Sequence, residues 1–431
     1  MNHPRPGLPP SVECTGGRGS ALTDVSASAR LRALASLAPA ELALSGRDGY
    51  VRYRELDDAA DRVAGWLLTR LGRGRHRVGL CAAADHACLV AALGVARSGK
   101  ICVPLDPLLP LGAIDALCAD ASASVVVSDL VAAMGPGALG VPLVSISECV
   151  QPAQGGPVTD PRPGLSSVIH YADPWADPPA GVVMSDAGVL RWVTALERSG
   201  VAAAGVRCAV GWAGSSPEGT ERLVALALAG ACAVTGISDQ ELYSLLAGGN
   251  ADTLFVDSPT LRRLAAMGPP DAGTPPVSVV GLWGGPVAGS DVATARGWLG
   301  PDVHAATFYA PAETGLVAML TVPPGEEVPW SELLPAGWCP ADVEVEIVDG
   351  GGCRIGPEQD GHIVVWGPEL PGAYWANPAL TEKRWLAGPG GRRWCRTGDA
   401  GRWDGRGRLV VQRAAAYEGS TGRQQVLVQV G

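Results

Sequence analysis

Apolar residues recur at three- and four-residue spacing from Ser28 to Gly72, first in SARLRALASLAPAELALSG and again in YRELDDAADRVAGWLLTRLG. This spacing predicts two amphipathic helices around a short strand or turn. HRVGLCAAAD then reads as a buried strand running into a helix, HACLVAALGVARSG as a helix ending at Gly99, and ICVPLDPLLP as a strand broken by its prolines. IDALCADASASVVVSD continues with helix and strand, and the alternation predicts a parallel sheet covered by helices. The Pro- and Gly-rich stretch VQPAQGGPVTDPRPGLS marks a subdomain boundary, after which helix and strand alternate again from Val168 to Leu320. Beyond Pro323 the short alternating runs VEVEIVD, GHIVVWG and RLVVQ, set between glycine-rich turns, predict a small barrel or meander. The expected division is a disordered lead-in over 1–25, αβ subdomains over 26–165 and 166–322, a β-barrel-like subdomain over 323–413 and a tail over 414–431.

Composition fits this picture: 431 residues, 47% of them hydrophobic and 18% charged, are enough to bury more than one core. A formal net charge of −10 supplies no clustered positive field, which argues against nucleic acid or an anionic membrane as a partner. The 11 cysteines contain no C-x-x-C pair, and the grouping Cys81, His86 and Cys88 lacks a fourth ligand, so reduced thiols and no metal site are expected. The N-terminus has no apolar leader core and no apolar run is continuous enough to span a bilayer, which points to the cytoplasm. Arginine almost replaces lysine, leaving only Lys100 and Lys383.

Several segments occur in an order that resembles the adenylating superfamily of acyl-CoA synthetases, luciferases and peptide-synthetase adenylation domains. They are YRELDDAADRVAGWL with RVGLCAAADHACLVAALGVARSGKICVPLDPLLP, then GLWGGP (281–286), FYAPAETG (308–315), GHIVVWGPELPGAYWANPALTEKRW (361–385) and WCRTGD (394–399). The resemblance covers nearly the whole chain. It implies an α/β fold of two αβ subdomains with mostly parallel sheets plus a distorted β-barrel, with a nucleotide and acyl site where the three meet. By the same resemblance Tyr309 matches the tyrosine that stacks on adenine and Glu313 the glutamate that helps hold magnesium. Asp399 matches the aspartate on the ribose hydroxyls, assisted by an arginine at Arg413. Two neighbours depart from the motif, a glycine being Ala310 and a threonine Ala312.

The phosphate loop departs further. The family uses a Ser/Thr/Gly-rich stretch ending in Pro-Lys-Gly, whereas this chain has YADPWADPPAG from Tyr171 to Gly181. Glycines are replaced by Pro174 and Asp177, and the lysine by Ala180. A phosphate cradle needs close backbone amides, hydroxyls and a cation, and proline carries no amide hydrogen. Asp173 and Asp177 add like charge, at roughly 1 to 4 kcal/mol for an aspartate about 4 Å from a phosphate oxygen. Magnesium held by those aspartates is the alternative that inverts this sign. The family's small C-terminal domain with its catalytic lysine is also without a match, since no lysine follows Lys383.

His170, beside Tyr171 and Asp173, is a candidate acid–base couple with Asp173. The segment that holds the substrate amine in amino-acid activators corresponds here to GWAGSSPEGTERLVALALAGACAVTG, with Pro217 at the aspartate position and Glu218 one residue on. The expected function is that of a degenerate adenylation-domain homologue in natural-product biosynthesis, of peptide-synthetase or polyketide type. It would not activate acids with ATP, and would retain a cleft for an acyl or aminoacyl substrate or a carrier protein. Two alternatives stay open: an ATP-independent enzyme acting on a carrier-bound acyl thioester, and an ATP-dependent ligase completed by a partner polypeptide. AMP, ATP and magnesium are not expected cofactors under the first reading, and an acyl or peptidyl carrier protein is the expected partner.

Overall fold

The structure, a computed structural model, describes residues 25–414 apart from 47–48, 83–84, 136, 152–157, 159, 163–165, 177, 212–216, 237, 271–276, 368–369 and 388–391. The expected lead-in up to residue 24 and the tail from 415 lie outside the described residues.

The helix Tyr53–Leu71 shows why the opening pattern folds as it does. Its apolar positions Leu56, Ala60, Val63, Ala64 and Leu67 fall on one buried face, and the Glu55 carboxylate accepts the Arg52 amide at 2.9 Å to close the first turn. That face meets the helix Asp85–Arg97 closely: a methyl group at Gly94 would stand 2.5 Å from Val63 Cβ, so only glycine permits this approach. Arg97, with a side chain 0% exposed, ties the two helices by bonding the carboxylates of Asp57 and Asp61, and donates to Ser28 Oγ at 2.8 Å on the helix Ala27–Leu37. A buried guanidinium needs such pairing, because its desolvation is otherwise uncompensated.

Three sheets carry the fold. The six-stranded sheet runs Leu143–Ser145, Ala123–Ser128, Arg77–Cys81, Ile101–Pro104, Ser166–Tyr171, Gly181–Ser185, parallel except for the last pair. The eight-stranded sheet runs Ala318–Val322, His304–Tyr309, Val279–Trp283, Thr253–Asp257, Arg207–Gly211, Cys232–Gly236, Leu42–Gly46, Gly49–Arg52, with a parallel centre and an antiparallel pair at each edge. Chain order and sheet membership therefore differ: the early hairpin Leu42–Arg52 completes a sheet otherwise built after residue 206. Tyr53 fixes that junction, its hydroxyl lying 2.6 and 2.9 Å from the carbonyl oxygens of Ala227 and Ala231.

The third layer is an antiparallel five-stranded sheet, Glu344–Val348, Gly361–Trp366, Arg393–Trp403 and Trp385–Ala387, with Leu409–Ala414 also on Arg393–Trp403. Where a distorted barrel was expected, the described strands form an open sheet rather than a closed one. The core of this layer, including Ile347, Ile363, Val365 and Leu409, packs against Val317 and Ala318 of the eight-stranded side. The buried Arg191 on the helix Asp186–Ser199 adds an ion pair across the same junction, 2.8 Å from Asp342. No helix among the described residues is long and apolar enough to cross a membrane.

Candidate functional site

Between the eight-stranded and the third sheet lies a cleft of about 290 Å³ whose wall includes Trp192, Trp283, Phe308, Tyr309 and Asp399. Tyr309 ends a central strand of the eight-stranded sheet, and the chain then turns through Pro311, whose carbonyl accepts the Thr314 and Gly315 amides at 3.1 and 2.8 Å. This turn requires Gly315 at a φ of 65°, the left-handed region. It carries Glu313 into a buried position, 4% exposed, where the Tyr374 hydroxyl donates to its carboxylate at 2.9 Å. Asp399 comes from the facing sheet, at a register irregularity in the pairing of Arg393–Trp403 with the last strand.

The Tyr309 hydroxyl donates to Asp399 Oδ2 at 2.5 Å, so the phenol and carboxylate read as separate nucleotide contacts are bonded to each other across the cleft. Burial raises the Asp399 pKa from its ordinary value against the opposing Tyr309 hydrogen bond, with the nearby Glu313 charge adding to the rise. Burial and the facing Asp399 also push the Tyr309 phenol well above its ordinary value, so it stays a donor. Arg413 lies in the last strand, but its side chain is outside the described residues.

The segment Tyr171–Gly181 is the connection of an antiparallel pair, Tyr171 standing opposite Gly181 in register. Tyr171 is 2% exposed and its hydroxyl bonds the Asp120 carboxylate. Asp173 folds the loop back on itself: its Oδ1 accepts the Trp175 amide at 2.9 Å and its carbonyl the Ala176 amide at 3.3 Å. Pro174, Pro178 and Pro179 contribute no amide hydrogens. Ala180 is buried in an apolar cluster with Val182, Met184, Tyr374 and Trp385. Asp177 lies outside the described residues.

His170 does not pair with Asp173 as the sequence suggested. Its Nε2 lies 3.0 Å from Glu218 Oε1, on the first turn of the helix Pro217–Leu228, while Asp173 serves the loop amides. The reason is strand geometry: alternate residues of an extended strand face opposite sides, and His170 faces the helix. Burial alone would lower the imidazole pKa, but the charge and hydrogen bond of Glu218 outweigh it and the value is raised. Burial would likewise raise Glu218, yet His170 brings it down to about 2. Each partner thus favours the charged form of the other.

The sign of its effect on stability follows. The raised histidine contributes fully below its ordinary 6.5 and loses this as pH rises through the folded value, whereas the depressed glutamate contributes above its ordinary 4.5 and loses this as pH falls toward 2. NMR titration is expected to find His170 protonated above pH 6.5, and in Glu218→Gln below 6.5 because burial then dominates. A wild-type midpoint at or below 6.5 would sink this assignment.

A small chamber of about 60 Å³ adjoins the cleft and shares Trp192, Glu218 and Arg222 with it. Arg222, 5% exposed, lies with its guanidinium carbon 4.3 Å from the Trp192 ring centroid and 4.9 Å from that of Trp283. Its Nη1 donates to Glu221 Oε2 at 2.7 Å. This cluster was not singled out from the sequence. The signal available was the pair Glu221 and Arg222 at the head of LVALALAG, an otherwise apolar helical run.

Comparisons with known proteins bear on the fold. The family model described as AMP-binding enzyme matches residues 31–165. A protein described as a probable non-canonical nonribosomal peptide synthetase, CymA of Salinispora arenicola, is 27% identical over 396 residues; the match covers 85% of this chain but 5% of CymA. Among solved structures, holo-PA1221, a synthetase protein containing adenylation and PCP domains, superposes with TM-score 0.78 at 24% identity, covering 91% of this chain and 68% of that one. The Klebsiella oxytoca NpsA N-terminal subdomain, solved with 3-hydroxybenzoyl-AMSN, gives TM-score 0.75 at 19% identity over 90% of this chain and 99% of that one. The chain thus has the fold of the solved adenylation-domain N-terminal subdomains, and its residues 31–165 are similar to the AMP-binding enzyme family. The sequence relatives are larger synthetases, of which this chain spans 5% of CymA and 29% of the AMB antimetabolite synthetase AmbB of Pseudomonas aeruginosa.

Proposed function

We propose that the chain is a degenerate adenylation-domain homologue of natural-product biosynthesis that does not activate acids with ATP and keeps a cleft for an acyl or aminoacyl group brought by a carrier protein. The observation that carries this reading is the 171–181 loop. Two of its amides are spent on Asp173, three of its residues are prolines, and the position matched to the lysine is an alanine buried among apolar side chains. A triphosphate would find few donors, no loop cation and the like charge of the loop aspartates. Magnesium and ATP therefore fit the described loop poorly. The bond between Tyr309 and Asp399 adds to this, since ribose hydroxyls would have to displace it.

The carrier is proposed from relatives, among them holo-PA1221, which contains adenylation and PCP domains. A second reading, ATP-independent chemistry on a carrier-bound thioester, is favoured by His170, a buried imidazole beside the cleft whose pKa Glu218 raises.

Calorimetry with ATP·Mg and pyrophosphate exchange over a panel of amino and carboxylic acids are expected to give no signal, while an acyl-loaded carrier binds. Exchange turnover would overturn the proposal in favour of an ATP-dependent ligase. Thioester turnover without ATP, lost in His170→Ala, would establish the second reading in its place.

A further inference from the structure

The cluster of Glu221, Arg222, Trp192 and Trp283 is costly to bury and incompletely satisfied. Glu221 Oε1, Arg222 Nε, Trp192 Nε1 and Trp283 Nε1 are buried atoms without a hydrogen-bond partner among the described residues. Buried polar atoms are ordinarily paired, and leaving one unpaired costs on the order of 1–3 kcal/mol. All four residues line the cleft or the chamber adjoining it, which puts the unpartnered groups in the walls of that space.

Their chemistry is specific. Three are donors, the two indole N–H groups and the guanidinium Nε–H, and one is a carboxylate acceptor. Arg222 and Glu221 already compensate each other's charge at 2.7 Å, and His170 and Glu218 do the same at 3.0 Å. A second anion would be repelled by Glu221, and a second cation by Arg222. The complementary group is neutral and planar, with an acceptor oxygen for the donors and an N–H for Glu221. The guanidinium held between two indoles is rigid, which favours such a planar partner over a flexible one. The chamber, about 60 Å³, admits a group of a few heavy atoms.

We propose that this chamber selects an acyl ligand whose side chain ends in a neutral amide-type group, a carboxamide or ureido, with the carbonyl oxygen accepting from the Arg222 and tryptophan donors and the N–H donating to Glu221 Oε1. The proposal rests on the reading of the cleft as an acyl site and adds the ligand class.

The test uses the full chain and pantetheine thioesters of three acids of equal length, ending in a carboxamide, a carboxylate or an isopropyl group. Binding is read by calorimetry, with quenching of tryptophan fluorescence as a second signal. The carboxamide is expected to bind at least tenfold more tightly than either of the others. In Glu221→Gln, which keeps the shape, that preference is expected to fall below threefold while isopropyl binding stays within twofold. Tightest binding of the carboxylate or the isopropyl thioester, or a preference unchanged in Glu221→Gln, overturns the assigned ligand class and leaves the acyl cleft standing. Binding of none of the three overturns the acyl-cleft reading and the ligand class with it. Circular dichroism and melting of Glu221→Gln separate lost recognition from lost folding, and Trp283→Phe, which removes one donor and keeps a ring, is expected to weaken the carboxamide selectively.

Discussion

Trp192→Ala is expected to lower the free energy of unfolding by about 3–5 kcal/mol, the range for deleting a large buried aromatic side chain. Trp192 is 0% exposed, with ring centroids 5.5 Å from Phe308 and 6.4 Å from Phe255, and it covers one face of the Arg222 guanidinium. Truncation therefore leaves a cavity and removes a cation–π contact from a buried charge at one stroke. Because Trp192 borders both the cleft and the small chamber, the same change merges them. Urea unfolding measures the effect, and Trp192→Phe, which keeps a ring under the guanidinium, is expected to recover more than half of it. A loss below about 1 kcal/mol for the alanine variant would mean that the site collapses around the gap.

The second large effect concerns nucleotide. Asp173→Ser combined with Pro174→Gly is expected to tighten ATP·Mg binding by tenfold or more, which corresponds to about 1.4 kcal/mol. The double change removes a carboxylate from the loop, supplies a hydroxyl, restores an amide hydrogen at residue 174 and releases the Trp175 amide from the aspartate side chain. Ala180→Lys is a poorer route, since its ammonium would start inside the cluster of Tyr374 and Trp385. Calorimetry reads the affinity directly. A shift under twofold would locate the barrier elsewhere, with the bond between Tyr309 and Asp399 the first place to look.

What the sequence revealed divides along the range of the interactions involved. The helix Tyr53–Leu71 and the strands Arg77–Cys81, Ile101–Pro104 and Ala123–Ser128 were legible because their periodicity is written within the segment itself. Tyr309, Glu313 and Asp399 were found through ordered motifs, and the structure bonds Tyr309 to Asp399 at the cleft while Glu313 is buried against Tyr374. Pairings were less legible. Asp173 lies three residues from His170, yet the partner is Glu218, 48 positions away, because a helix and a strand from different layers meet there. The contact of Trp192, Arg222 and Trp283 joins side chains from two helices and a strand, and no local spacing encodes it. The open form of the third sheet depends likewise on which strands pair, whereas alternation marks only that they are strands.

The placement of the hairpin Leu42–Arg52 has a consequence for how the protein is made. Leu44 takes its parallel neighbour at Ala233, so an early strand waits for a late one. At a synthesis rate of about 5–20 residues per second, the ribosome needs roughly ten to forty seconds to supply it. During that interval one edge of the hairpin has unpaired backbone groups, a template for pairing with other nascent chains. Assembly of the eight-stranded sheet is thus a late event in biosynthesis, and slower elongation through the Ala-rich helix before Cys232 would lengthen the exposure.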